Sequence, residues 1–181
     1  MVSMVLQEGT LQVLRRLTFG PTDNHRARFD GMAPLDAVAV LLDDPPSTVS
    51  TRRFGDDGDD WEATEWLIGQ VRRPDAGLHE RMVWYWHGHL TSGIAKASPD
   101  EMMVQQEVLR RHALGNFRTL LHEITLDPAM LYWLDGSGSV AEAPNENYAR
   151  ELMELFALGR DSWAYTEADV RAGARDRKSV V

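Results

Sequence analysis

The sequence predicts an all-α fold, an irregular multi-helix bundle with no substantial sheet. Apolar residues recur at three- and four-residue spacings in most segments, and helix-start chemistry stands ahead of several of them. No segment of useful length alternates polar and apolar with the two-residue period of a half-buried strand.

In chain order, Leu11, Leu14 and Leu17 mark a first helix, which Gly20-Pro21 closes because proline cannot continue it and glycine accepts the turn. Thr22 or Asp23 caps the next. A helix over 35–42 follows and ends at Asp43-Asp44-Pro45-Pro46-Ser47; residues 47–60, rich in aspartate and glycine, form the most loop-like stretch. That loop lacks the ligand spacing and central glycine of an EF-hand, so no calcium is expected there. Trp61, Leu67, Ile68 and Val71 resume a helical pattern that Pro74 breaks.

Helices then fit 78–90, 99–114, 117–126, 128–134 and 145–158, and another begins at Thr166. Ser98 precedes Pro99, which places a capping hydroxyl ahead of a proline at the first helical position. Asp100 and Glu101 then lie against the positive end of the helix dipole. Asp127-Pro128 and Thr166-Glu167 repeat the device, and Asn145 after Pro144 reads as a further cap. Gly136-Ser137-Gly138-Ser139 is neither a nucleophile elbow nor a phosphate loop and reads as flexible linker.

With 28 acidic against 19 basic residues the formal charge is −9, spread along the chain. No nucleic-acid partner is expected, since phosphate binding needs a basic face. Cysteine is absent, which excludes disulfides and thiolate metal sites. No apolar run approaches the roughly 20 residues needed to span a bilayer. The opening residues lack the basic start and apolar middle of a signal peptide, so the default expectation for location is the cytoplasm.

Two segments carry candidate chemistry. On the 78–90 helix, at about 100° per residue, Leu78, Met82, Tyr85, Trp86 and His89 share one face while Trp84 and His87 point almost the other way. That helix is apolar nearly all round and is expected to be buried. Residues at i and i+2 of a regular helix cannot face one metal ion, so a site shared by His87 and His89 requires the helix to end or unwind near Gly88. His112 and His122, on amphipathic helices, read as ordinary boundary residues.

On the 145–158 helix, Tyr148, Leu152, Leu155 and Phe156 form a core stripe, and Asn147, Glu151 and Glu154 line one edge. Neighbouring carboxylates repel, so something must offset them. Arg150, four after Glu146 and four before Glu154, offers a solvated ion-pair ladder. The alternative is a divalent metal ion held by His89, Glu146, Glu151 and Glu154, with His87, His89 and Glu151 as acid/base groups. Two functions therefore stand side by side. One is a helical binding or assembly module with a protein partner; the other is a metal-assisted, hydrolase-like enzyme whose His/Glu site is completed by a further carboxy-terminal portion.

Five segments, taken together and in this order, resemble the bacterial family called domain of unknown function 1800. They are Leu14-Arg15-Arg16-Leu17-Thr18-Phe19-Gly20-Pro21-Thr22, Trp86-His87-Gly88-His89, Arg111-His112-Ala113-Leu114-Gly115-Asn116-Phe117, Asp127-Pro128-Ala129-Met130 and Pro144-Asn145-Glu146-Asn147-Tyr148-Ala149-Arg150-Glu151-Leu152-Met153-Glu154-Leu155-Phe156. The resemblance implies a long, mostly helical bacterial protein and no particular reaction. The family places asparagine between the two histidines, where this chain has Gly88, and a basic stretch where it has Gly138-Ser139-Val140-Ala141-Glu142.

Family members continue past Arg175, so the resemblance implies that residues 1–175 are the amino-terminal part of a larger, truncated helical domain. Asp176-Arg177-Lys178-Ser179-Val180-Val181 matches the translation of a common sequencing-adapter start, and 176–181 is therefore expected to be a non-native tail. Apolar faces that later helices would cover are then expected to stand exposed.

Overall fold

Among the residues described in the computed structural model (6–45, 52–55, 59–140, 144–160 and 163–177) ten α-helical segments form and no strand does. They are α1 (Glu8–Leu17), α2 (Asp23–Arg28), α3 (Pro34–Asp43), α4 (Asp60–Val71), α5 (Leu78–His89), α6 (Pro99–His112), α7 (Phe117–Thr125), α8 (Pro128–Trp133), α9 (Asn147–Glu151) and α10 (Glu167–Arg177). The all-α expectation holds. Residues 56–58 of the aspartate-glycine loop and 178–181 of the expected tail lie outside the described residues.

Side-chain caps set most of the helix starts. Ser98 accepts from the Glu101 amide while the Glu101 carboxylate accepts from the Ser98 amide, a reciprocal box at the start of α6. Asp127 accepts from the Met130 amide and Asn116 from the Thr119 amide. Thr22 builds a box whose third-position partner is His25, a residue type the usual pattern does not include. Gly20, at φ +117°, takes the chain out of α1 through a backbone region that side chains disfavour.

α6 is the central helix. α5, α7 and α8 pack on it, and α4 bridges it to α5. The largest core runs through Val83, Leu90, Leu109, Leu120, Ile124 and Met130, with Tyr148 and Phe156 closing one end. A second core, around Leu14, Phe29 and Leu41, joins α1 to α3 and reaches α5 through Leu78. α10 packs on α9 through Val170, Ala174 and Ala149.

Four expectations need correction. The 145–158 segment is not one regular helix: α9 ends at Glu151 and Leu152–Ala157 continues as a π-helical turn. There Leu158 N donates to Met153 O at 3.0 Å, an i to i−5 bond, and Gly159 at φ +93° stops the coil by donating to the same carbonyl at 3.1 Å. α5 is not buried all round, for it packs through Leu78, His79, Glu80 and Val83 and leaves Tyr85 53 % and Trp84 37 % exposed. It also stays helical through Gly88 to His89, so the unwinding that a shared histidine site required does not occur. Finally, Gly136–Gly138 forms a turn of 3-10 helix rather than a flexible linker. Lys96 holds it by donating to Asp135 at 2.8 Å.

The α5–α6 contact contains a buried ion pair, Glu80 to Arg110 at 2.5 Å, with both side chains under one-tenth exposed. Removing one partner leaves an uncompensated buried charge, so Glu80→Ala is expected to lower unfolding stability by about 3–5 kcal/mol. Gly88 lies in a helix with no atom within 4 Å of an added Cβ, and Gly88→Ala is expected to raise stability by about 0.5–1 kcal/mol. Urea unfolding midpoints measure both; a Glu80→Ala midpoint equal to wild type would refute the first.

Candidate functional site

Arg110 organises the interior between α4, α5 and α6. A guanidinium only donates, and this one donates to Glu80 and, through Nη1, to Gln106 Oε1 at 3.0 Å. With its oxygen so occupied, the Gln106 amide must turn its NH2 the other way, where it donates to His87 Nδ1 at 3.2 Å. His87 therefore accepts at Nδ1 and carries its proton on Nε2. Burial, and then the Arg110 charge, hold His87 below the usual imidazole range, so it is neutral at pH 7. The face of Trp66 covers the guanidinium, with its centroid 5.1 Å from Cζ. His79 joins from the far side: its Nε2 donates to the Arg110 carbonyl at 2.9 Å.

His89 serves another purpose. Its Nε2 donates to the Phe156 carbonyl at 3.0 Å, an oxygen in the last turn of the coil that accepts no backbone amide among the described residues. Tyr85 stacks on the His89 ring at 5.9 Å and 6°, and Trp86 and Phe156 stand at its edges. His87 and His89 thus do not converge.

The carboxylates gather on a cation. Arg150 donates to Glu146 at 3.2 Å, to Glu154 at 3.3 Å and to Glu167 through two bonds of 2.7 and 2.9 Å. The bond to Glu167, then that to Glu154, raises the guanidinium above its ordinary value. The ion-pair ladder expected from the four-residue spacings is present, and α10 adds a third carboxylate to it. Glu151 is half-buried and makes no ion pair among the described residues. Among those residues no group of three or more His, Asp and Glu side chains is arranged to hold a metal ion. Asn145, expected as the cap, stands one residue ahead of the N-cap Glu146; its Oδ1 accepts from the Asn147 amide at 2.8 Å and its Nδ2 donates to the Asp135 carbonyl at 2.9 Å.

Sequence reasoning missed the second buried network. Ser92 donates to Gln105 Oε1 at 2.5 Å, and Gln105 Nε2 donates to Asp127 Oδ1 at 2.9 Å. Asp127 Oδ2 is buried without a hydrogen-bond partner, and burial pushes this carboxyl up to about 6. Two adjacent glutamines flanked by Met102, Met103, Val108 and Leu109 were the available signal, since a helix hydrophobic on both sides of a polar pair must bury that pair. His112 also proves less ordinary than its position implied: its Nε2 lies 2.8 Å from Glu123 Oε1.

At the surface, α7 and the π-turn enclose an apolar groove of about 360 Å3, walled by Phe117, Leu121, Thr125 and Leu152 and edged by Arg118 and His122. Phe117 stacks on Trp86 at 5.4 Å and 19°, and Leu121 and Leu152 rest on the main core, so the walls are fixed from beneath.

The fold and these internal networks define a helical protein built around a polar-cored central helix. The family model described as "Protein of unknown function (DUF1800)" matches residues 12–175, and the chain belongs to that family. No curated protein and no solved structure matches it.

Asp127 supplies a pH signature. Its folded value of about 6 stands above the ordinary 3.8, so the folded state holds the proton more tightly. Stability contributed here is present at low pH and is lost as pH rises from about 4 to about 6, by about 3 kcal/mol. His25, His79 and His87, all lowered by burial, act oppositely, weakening the fold as pH falls below 6.5. The Asp127→Asn variant isolates the carboxyl: the wild-type minus variant stability is expected to fall across pH 4–6 in urea titrations. A flat difference would show that Asp127 titrates normally.

Proposed function

We propose that the chain is a helical binding and assembly module, and that the α7 groove seats the apolar stripe of a partner helix with acidic flanks. The groove carries this reading: an ordered apolar trough of about 360 Å3 with Arg118 and His122 exposed at its rim. Arg118 has no carboxylate partner among the described residues. In a chain of net charge −9 this basic edge favours a partner of opposite sign. Helix-in-groove recognition uses anchors at i, i+3 or i+4 and i+7, and walls already packed on a core lose little entropy when such anchors enter.

The metal-assisted enzyme asks more of the same residues. His89 would have to release the Phe156 carbonyl or coordinate through its other nitrogen. Glu146 and Glu154 would have to leave Arg150, which holds them already. Glu80, Arg110, Gln106 and His87 are bonded in series to one another, and that supports a module whose buried polar residues fix packing.

The probes are two synthetic amphipathic helices with one leucine stripe, flanked by glutamate in one and by lysine in the other. Fluorescence anisotropy is expected to show saturable binding of both, the glutamate peptide about two- to fivefold tighter at low salt. Arg118→Glu is expected to reverse the order. Absence of saturable binding, or an order that Arg118→Glu leaves untouched, overturns the proposal.

A further inference from the structure

A separate cavity of about 230 Å3 lies between α4, α5 and the first turns of α6. Its walls are apolar, with Leu67 and Ile68 from α4, Trp84 from α5 and Met102 from α6, and no charged side chain lines it. Ile68 at 39 % and Trp84 at 37 % exposure are its most open walls. An apolar cavity of about 150 Å3 already admits benzene, so the space suits a molecule of one ring and a short substituent.

Most polar groups on the wall are committed elsewhere. Ser92 gives its hydroxyl proton to Gln105, Thr64 donates to the Asp60 carbonyl at 2.9 Å, and Gln106 is held between Arg110 and His87. His87 differs. Its Nδ1 is occupied by Gln106, its proton is therefore on Nε2, and that N–H meets no acceptor among the described residues. The orientation descends from a charge: Glu80 fixes Arg110, Arg110 fixes the Gln106 amide, and the amide fixes the imidazole tautomer.

We propose that this cavity binds a small, uncharged, mostly apolar molecule that presents one hydrogen-bond acceptor, a carbonyl, ether or heteroaromatic nitrogen, to His87 Nε2–H. An anion is disfavoured because no charged side chain lines the space, and Arg110, which holds Gln106 behind the wall, is already neutralised by Glu80. A fully apolar ligand fills the walls but leaves the N–H unmade, and a buried donor without an acceptor costs free energy. His87 acts here as a fixed donor and transfers no proton.

The test uses the full chain and three probes of similar size: acetophenone, ethylbenzene and benzoate. Ligand-detected NMR is expected to show saturable acetophenone binding, ethylbenzene about tenfold weaker, and no benzoate binding. Met102→Trp, which fills the cavity, is expected to abolish acetophenone binding. His87→Phe, which keeps a ring and removes the donor, is expected to equalise acetophenone and ethylbenzene. Nitrogen-15 spectra of the unmodified protein are expected to show the Nε2–H tautomer at His87, and they decide the matter even if His87→Phe does not fold. Equal affinity for acetophenone and ethylbenzene in the wild type, acetophenone binding that survives Met102→Trp, or a proton on Nδ1 would each overturn the proposal.

Discussion

Arg110 is the group the interior depends on, because it has five donors, no acceptor and a charge that cannot be shed. Once buried on α6 it obliges every neighbour to present an oxygen or a ring face. Glu80 answers with a carboxylate, Gln106 with its amide oxygen and Trp66 with its π cloud. The consequence reaches beyond the ion pair. Gln106 has two distinguishable ends, so fixing one fixes the other, and His87 receives an orientation it would not otherwise have. Electrostatic matching thus passes through two hydrogen bonds and emerges as a tautomer.

The two polar networks on α6 differ in how completely they are matched. Arg110 meets a full counter-charge, so its charge is offset by attraction and hydrogen bonds even though its Nε is buried without a partner among the described residues. Asp127 meets only neutral donors, from Gln105 and the Met130 amide, and one oxygen meets none. Its N-cap role requires an oxygen at the head of α8, and any of the common capping side chains would supply one. The carboxylate is therefore retained at a site where its charge is a liability near neutral pH. Gln105 and Gln106, neighbours in sequence, serve one network each, so α6 is specified on two adjacent faces by side chains that tolerate little rearrangement.

Helix order and most boundaries were legible because they are local. Ser98, Asp127 and Gly20 act within a turn of their own positions, and periodicity reports which face is buried. The Arg150 ladder was legible for the same reason, since Glu146 and Glu154 lie one turn away on either side. What escaped was non-local. Glu80 finds Arg110 across 30 positions and Gln105 finds Asp127 across 22, and no spacing rule links them. The π-turn escaped too, because an i to i−5 register uses the same apolar residues as an α-helix and differs only in which carbonyl each amide reaches. Arg150 still reaches Glu154, but the expected edge of Asn147, Glu151 and Glu154 assumed one register throughout.

His87 and His89 show how a short motif is divided by helical geometry. In a coil that advances about 100° per residue, positions two apart diverge by about 200°, and the middle residue faces between them. Gly88 does so: it is exposed, and an added Cβ meets nothing within 4 Å. A larger side chain there would meet no steric obstacle. The flanking imidazoles are then sent to separate interiors, His89 to the Phe156 carbonyl in the π-turn and His87 to the amide that Arg110 orients. In both cases the ring carries its proton on Nε2, but for different reasons. A backbone carbonyl can only accept, which forces the proton on His89. A side-chain amide can face either way, and only the charge behind Gln106 forces it on His87.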